Sequence, residues 1–312
     1  MVMSAPEIAR SPRPRTLGER SRQTVLYALW RLACAAVARA PLRLAYAGAS
    51  GVAALAWLLL PVQRRNAIAN YEVMLGGRHP RAARALARRS FVNYARYAVD
   101  FIRGGRASNE EILRRVAFDE WDKIEAIAAA GRGCILVLLH FGNWDIGGQV
   151  LALRGYGMNA VAETQPGRIN DDFTRIRERR GMRLIPMERG AAGIVRALKR
   201  GEFLAILIDR PLREGGVEVE FFGKPVRIPD GPARLALRTG AAVVPAALPR
   251  LRADDDRVVA LLDFAIAHPC TGDSECDVRE LTQRVMRSHE RVLRRYPDQW
   301  YMFRRFWDEA SS

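Results

Sequence analysis

An α/β fold built on a mainly parallel sheet is what this 312-residue sequence predicts, and three observations predict it. From Cys134 onward, short apolar runs (CILVLL, MNAVAE, MRLIPM and FLAILID) alternate with segments of helical spacing, the βαβαβ order of a parallel sheet. Glycines punctuate the alternation, as at Gly131 and Gly133 ahead of the first run and Gly201 ahead of the last. Polar residues then gather where such strands would end, His140 with Glu163, Asp209 and Arg210, and the last three, with Asn143, are expected to bind substrate. The carboxyl ends of parallel strands are where open α/β sheets form their sites.

Composition narrows the field only in part. The length suits one large α/β domain or two smaller ones. Fifty Lys+Arg against 34 Asp+Glu give a formal charge of +16, so the surface seeks anionic partners such as nucleic acid, lipid headgroups or CoA-like substrates. Cys34, Cys134, Cys270 and Cys276 form no C-x-x-C pair and point to a reducing compartment. His268 lies near two of them, but a fourth ligand at zinc spacing is missing, so no metal is expected.

The elements follow in order. Residues 1–22 are rich in arginine and proline and read as a flexible basic N-terminus without the pattern of a secretory signal. Residues 23–105 read as a helical, membrane-associating region. Its uncharged stretch from Leu44 to Val62 approaches the length of a bilayer span, bracketed by Pro41 and Pro61. Interfacial docking is expected there, with Trp30, Tyr46 and Trp57 at headgroup level and Arg39, Arg43, Arg64 and Arg65 on lipid phosphates. Spanning and ordinary core packing are the alternatives. The stretch from Arg81 to Gly105 repeats apolar residues at helical spacing and ends at a glycine pair.

Residues 106–312 are expected to form the α/β core and to pack with residues 23–105 as one compact unit. A helix begins near Asp119 and stops at Gly131; the strands and helices listed above follow it. VEVEFFGKPVRIP predicts a hairpin turning at Gly223, then a helix to Arg238 stopped by Gly240, then a strand through Val244. The segment LTQRVMRSHERVLRRYP is an amphipathic basic helix, and QWYMFRRFW closes the chain with aromatics among arginines.

The stretch HFGNWD, His140 to Asp145, carries the chemistry. A strand delivers His140 to its end, and Asn143 or Asp145 caps or enters the helix that follows. His140 and Asp145 are expected to converge across that turn, a base and its orienting carboxylate, with a substrate hydroxyl as the nucleophile. A structural histidine beside a helix-capping aspartate is the plainer alternative.

Several separated motifs sharpen the reading: HFGNWD, RRNAIANYEVMLGG, FVNYARY, DRPLREGGVEVEFFGKPVRIPDGPARLALRTGAAVVP and QWYMFRRFW. Together they resemble the bacterial lipid A acyltransferase superfamily, and the segment from Asp209 to Pro245 is most similar to its phosphatidylinositol mannoside branch. The resemblance covers about residues 24 to 307. It implies a glycerolipid-acyltransferase-type α/β fold at the cytoplasmic face of the cell membrane. It also implies O-acyl transfer from acyl-CoA or acyl carrier protein as co-substrate, with no further cofactor. By the same resemblance His140 is the general base and Asp145 its partner, Glu163 and Glu214 are acidic positions of the site, and Arg210 meets an anionic substrate group. Pro211 departs from the mannoside branch, which commonly has an acidic residue there; this bears on the acceptor more than on the chemistry.

Three rivals fare worse. A nucleic-acid-binding protein of this charge should show a recognisable module, and none is found. A hydrolase would bring G-x-S-x-G, which is missing. A noncatalytic membrane anchor has no need of polar groups at strand ends. Oligomeric state is unreadable from sequence.

Overall fold

The structure is a computed structural model describing residues 17–162, 167–187, 190–210, 215–264 and 266–307. Four helices open the chain: α1 (Leu17–Arg39), α2 (Leu42–Leu59), α3 (Pro61–Met74) and α4 (Pro80–Gly104). Prolines set their starts. Pro61 and Pro80 each occupy a first helical position, where the missing N–H costs nothing. Helix α1 begins inside the stretch read as loosely attached.

Helix α2 buries its small face and exposes its large one. Ala45, Ala49 and Ala53 are buried, whereas Leu44, Val52, Leu55, Leu58 and Leu59 face outward. Among the described residues it is the one helix long and apolar enough to cross a membrane by length and composition. Tyr46 and Trp57 lie on the buried face, so they are not at a lipid headgroup level as the sequence predicted. Alanine spacing explains the difference: the face small enough to approach α4 closely carries both aromatics inward. Trp57 meets Phe91 of α4 edge to face at 5.4 Å. Tyr46 donates to Asp100 of α4 at 2.6 Å and accepts from Arg250 at 2.6 Å, and Arg250 also pairs with Asp100.

The α/β part begins with α5 (Asn109–Arg114), whose start is a capping box between Ser108 and Glu111. It continues through β1 (Val116–Ala117), α6 (Trp121–Ala129), β2 (Cys134–Leu138), α7 (Trp144–Leu153), β3 (Met158–Ala162), α8 (Arg168–Glu178), β4 (Arg183–Pro186), α9 (Ala191–Lys199) and β5 (Phe203–Leu207). Then come the hairpin β6 (Val217–Phe221) and β7 (Lys224–Ile228), α10 (Gly231–Thr239), β8 (Ala242–Ala247), β9 (Val258–Val259), β10 (Leu261–Leu262) and α11 (Ser274–Arg295). The hairpin turns at Phe222 and Gly223, both with positive φ, as the glycine predicted.

Six strands form one sheet in the order β10-β8-β2-β5-β3-β4, parallel throughout except for β10 against β8. Strand β2 is central and buried on both faces. Its residues alternate between two cores. Ile135 and Val137 join the cluster formed with α3, α4, α9 and α11, while Leu136 and Leu138 face α6 and α7. Because β2 and β5 are hydrogen-bonded neighbours, with Leu138 opposite Leu207, the residues just past each strand end also sit side by side.

Candidate active site

Two residues beyond that last register pair stand His140 and Asp209. Asp209 is fully buried and accepts three hydrogen bonds: from His140 Nδ1 at 2.7 Å, from the His140 backbone N–H at 2.8 Å and from Trp300 Nε1 at 2.9 Å. Burial alone would raise its pKa, but His140 and these donors outweigh it and hold the carboxyl below the ordinary aspartate range. An ionised Asp209 places the proton on Nδ1 and leaves Nε2 as the basic nitrogen.

The loop that presents His140 is pinned from two sides. The His140 carbonyl accepts from the Tyr301 N–H at 2.8 Å, the Gly142 N–H donates to Gln299 at 3.0 Å, and the Asn143 N–H donates to Leu248 at 2.9 Å. Gly142 has φ of 60°, and a Cβ there would lie 2.1 Å from the Leu248 carbonyl oxygen, so glycine alone fits. The closing aromatic segment, read from sequence only as aromatics among arginines, thus supplies both a strap and the Trp300 donor. Nothing in its composition distinguishes that role from surface anchoring.

Asp145 does not hold His140. It is buried in the first turn of α7, with Oδ1 accepting from Arg177 Nε at 2.5 Å and Oδ2 from Arg177 Nη2 at 3.2 Å and from the Tyr97 hydroxyl. The expected His140–Asp145 contact is therefore replaced by His140–Asp209, because the β2–β5 register puts Asp209 against the imidazole while α4 and α8 occupy Asp145. Asp145 raises the Arg177 pKa, and burial followed by Asp145 raises that of Tyr97. Asn143, expected as a cap, is buried next to the turn and makes no side-chain cap bond. Arg210 lies on the same cavity as His140, whereas Glu163, Pro211 and Glu214 lie outside the described residues.

That cavity, about 330 Å³, runs between the sheet and α7. His140, Asp145, Asn170, Arg177 and Arg210 are its polar members and Trp121 and Trp144 its amphipathic ones; Leu, Ile, Val, Met and Ala side chains make up most of the rest. Two consecutive glycines in α7, Gly147 and Gly148, line it. Glycine inside a helix costs about 1 kcal/mol against alanine. A Cβ at Gly148 would come within 2.6 Å of Met182 and one at Gly147 within 2.9 Å of Leu248, so the glycines let these two side chains pack directly on α7. The imidazole touches Trp144 edge to face at 5.4 Å, and Trp144 stacks on Tyr97 at 4.2 Å. Tyr97 and Arg177 were missed as site residues; Tyr97 stands in FVNYARY, within an apolar helical pattern, and a basic helix face hid Arg177.

A buried carboxylate–imidazole pair that opens on an apolar cavity is suited to moving a proton while an apolar chain is held. Comparison with known proteins agrees. Residues 19–309 match the family described as bacterial lipid A biosynthesis acyltransferase. The chain is 30% identical over 226 residues to a phosphatidylinositol mannoside acyltransferase of Mycobacterium tuberculosis (strain ATCC 25618 / H37Rv), covering 70% of this chain and 69% of that protein. It is likewise 30% identical over 232 residues to one of Mycolicibacterium smegmatis, covering 71% and 72%. The chain belongs to the bacterial lipid A biosynthesis acyltransferase family and is an acyltransferase.

Proposed function

We propose that the protein moves a fatty acyl group from an acyl thioester to a hydroxyl of a membrane glycolipid, with His140 as general base and Asp209 as the carboxylate that orients it. The observation that carries this reading is the pair formed by buried Asp209 and His140, whose imidazole lines an apolar cavity. Nε2 takes the proton of the acceptor hydroxyl as its oxygen attacks the thioester carbonyl, and Asp209 stabilises the imidazolium that forms. The tetrahedral oxyanion forms beside cationic side chains of the cavity, Arg210 and Arg177. Collapse breaks the C–S bond, and the departing thiolate takes the proton back from Nε2. The apolar cavity receives the acyl chain.

The mannoside relatives favour a mannosylated phosphatidylinositol as acceptor, with a lipid A-type glycolipid as the second reading. Acyl-CoA and acyl carrier protein both satisfy the chemistry of the donor, and we keep Glu163 and Glu214 as the acidic site positions that the family resemblance implies. We read the fold as the glycerolipid-acyltransferase type and the protein as docked on the cytoplasmic face of the membrane, with residues 23–312 as one unit. The outward leucines of α2, with Leu29 and Leu32 of α1, support membrane docking, and exposed Arg39, Arg43 and Arg65 suit lipid phosphates. Thiol release from long-chain acyl-CoA is measured in liposomes with and without mannosylated phosphatidylinositol. Acceptor-dependent release supports the reading; release that ignores the acceptor means hydrolysis and overturns it.

A further inference from the structure

We propose that Trp121 is the end stop of the acyl cavity and sets the length of chain the enzyme transfers, latched from outside by Arg154. The inference rests on the acyl-transfer reading above and adds to it the residue that measures the chain. Helix α7 separates His140 from Trp121: Trp144 at its first position touches the His140 ring, whereas Arg154, just past its last residue, lies over Trp121, which lines the cavity with Phe118 and Ile124 from the segment joining β1 to α6 and from α6 itself. Trp121 stands at the first position of α6, with its ring against Phe118 edge to face at 4.8 Å. The half-buried indole has one side on the cavity. The guanidinium of Arg154, an exposed residue at the end of α7, lies 3.6 Å from its ring centroid.

The two ends of this contact belong to different elements. An arginine stacked on an aromatic face holds the ring by cation–π attraction, about 0.5 to 1 kcal/mol at an exposed site.

Beyond this region lies a second open groove, also about 330 Å³, which shares Ala246, Ala260 and Leu262 with the acyl cavity and is bordered by Glu120. Two alanines and a leucine therefore line both spaces, and Trp121 lines the acyl cavity alone. A chain that outgrew the cavity would press on the indole. Each methylene kept in apolar contact is worth roughly a fourfold gain in kcat/KM, so a stop at this position cuts the preference sharply at one length.

The test compares saturated acyl-CoAs of increasing length with purified full-length protein and glycolipid-containing liposomes. Trp121→Ala should move the optimum to longer chains, with kcat/KM rising about fourfold for each added methylene that finds apolar contact. Ala260→Leu, which adds bulk to the same wall, should move it to shorter ones. Arg154→Ala removes the latch without touching the cavity lining and should broaden the upper limit by less than Trp121→Ala. Should Trp121→Ala fail to fold, as judged by its thermal melt, the other two variants carry the test. Wild-type chain profiles in every folded variant would overturn the end stop while leaving acyl transfer standing; no acceptor-dependent transfer by the wild type with any chain would overturn the acyl-transfer reading itself.

Discussion

Asp209 has no exposed surface and three donors, two from Trp300 and the His140 backbone on Oδ2 and one from the His140 ring on Oδ1. Replacing it by asparagine removes the charge that supports the imidazolium while keeping the shape. Asp209→Asn should lower kcat by about 10²- to 10⁴-fold with little change in KM, measured by steady-state kinetics. Asp145→Asn acts differently. It leaves the Arg177 guanidinium beside a neutral amide in a mostly buried place and should lower stability by about 3 kcal/mol in denaturant titration. A wild-type melt for that variant would mean the pair is solvated. Gly142→Ala forces a side chain into the Leu248 carbonyl and should cost both folding yield and activity. At this scale the sequence was half legible. HFGNWD marked the histidine and its glycine, but the carboxylate partner depends on which strand lies next to β2, and strand register leaves no trace in a single motif.

Helix α2 joins two environments. Its alanine face packs on α4 through the Tyr46–Asp100–Arg250 cluster, and Arg250 in turn exchanges hydrogen bonds with Gln299, whose carbonyl holds Gly142. A continuous set of polar contacts therefore runs from the outward-leucine helix to the His140 loop. Replacing Leu55, Leu58 and Leu59 together by serine leaves the buried face intact and should abolish co-sedimentation with anionic liposomes while the thermal melt stays put. Retained lipid binding would assign docking elsewhere. Helix boundaries were legible because Pro41, Pro61 and Gly240 mark them chemically. The inward turn of Tyr46 and Trp57 was not, since an aromatic belt and an aromatic core read alike until the packing partner is known.

On the scale of the whole molecule, the sheet is enclosed by two cores, and α11 closes one of them with a buried histidine. His289 lies 2% exposed behind the site, and burial pushes its imidazole from 6.5 down to about 4. An unfolded chain protonates this residue first, so its contribution is full above about pH 6.5 and is lost as pH falls toward about 4, a span of about 3 kcal/mol. The variant His289→Gln should show a flatter acid limb in unfolding free energy across that window, and a parallel limb would contradict the assignment. The alternation of strands and helices made the parallel sheet legible from sequence. The apolar cavity was not, because its lining is gathered from segments far apart in the sequence, from Val116 to Leu262.

The most direct test of the central claim is acceptor-dependent acyl transfer by the wild type, His140→Ala and Asp209→Asn on the same glycolipid liposomes. The His140–Asp209 pairing predicts transfer by the wild type, none above background for His140→Ala, and a loss of two or more orders of magnitude for Asp209→Asn. Wild-type rates in Asp209→Asn would contradict it and return the orienting role to another carboxylate.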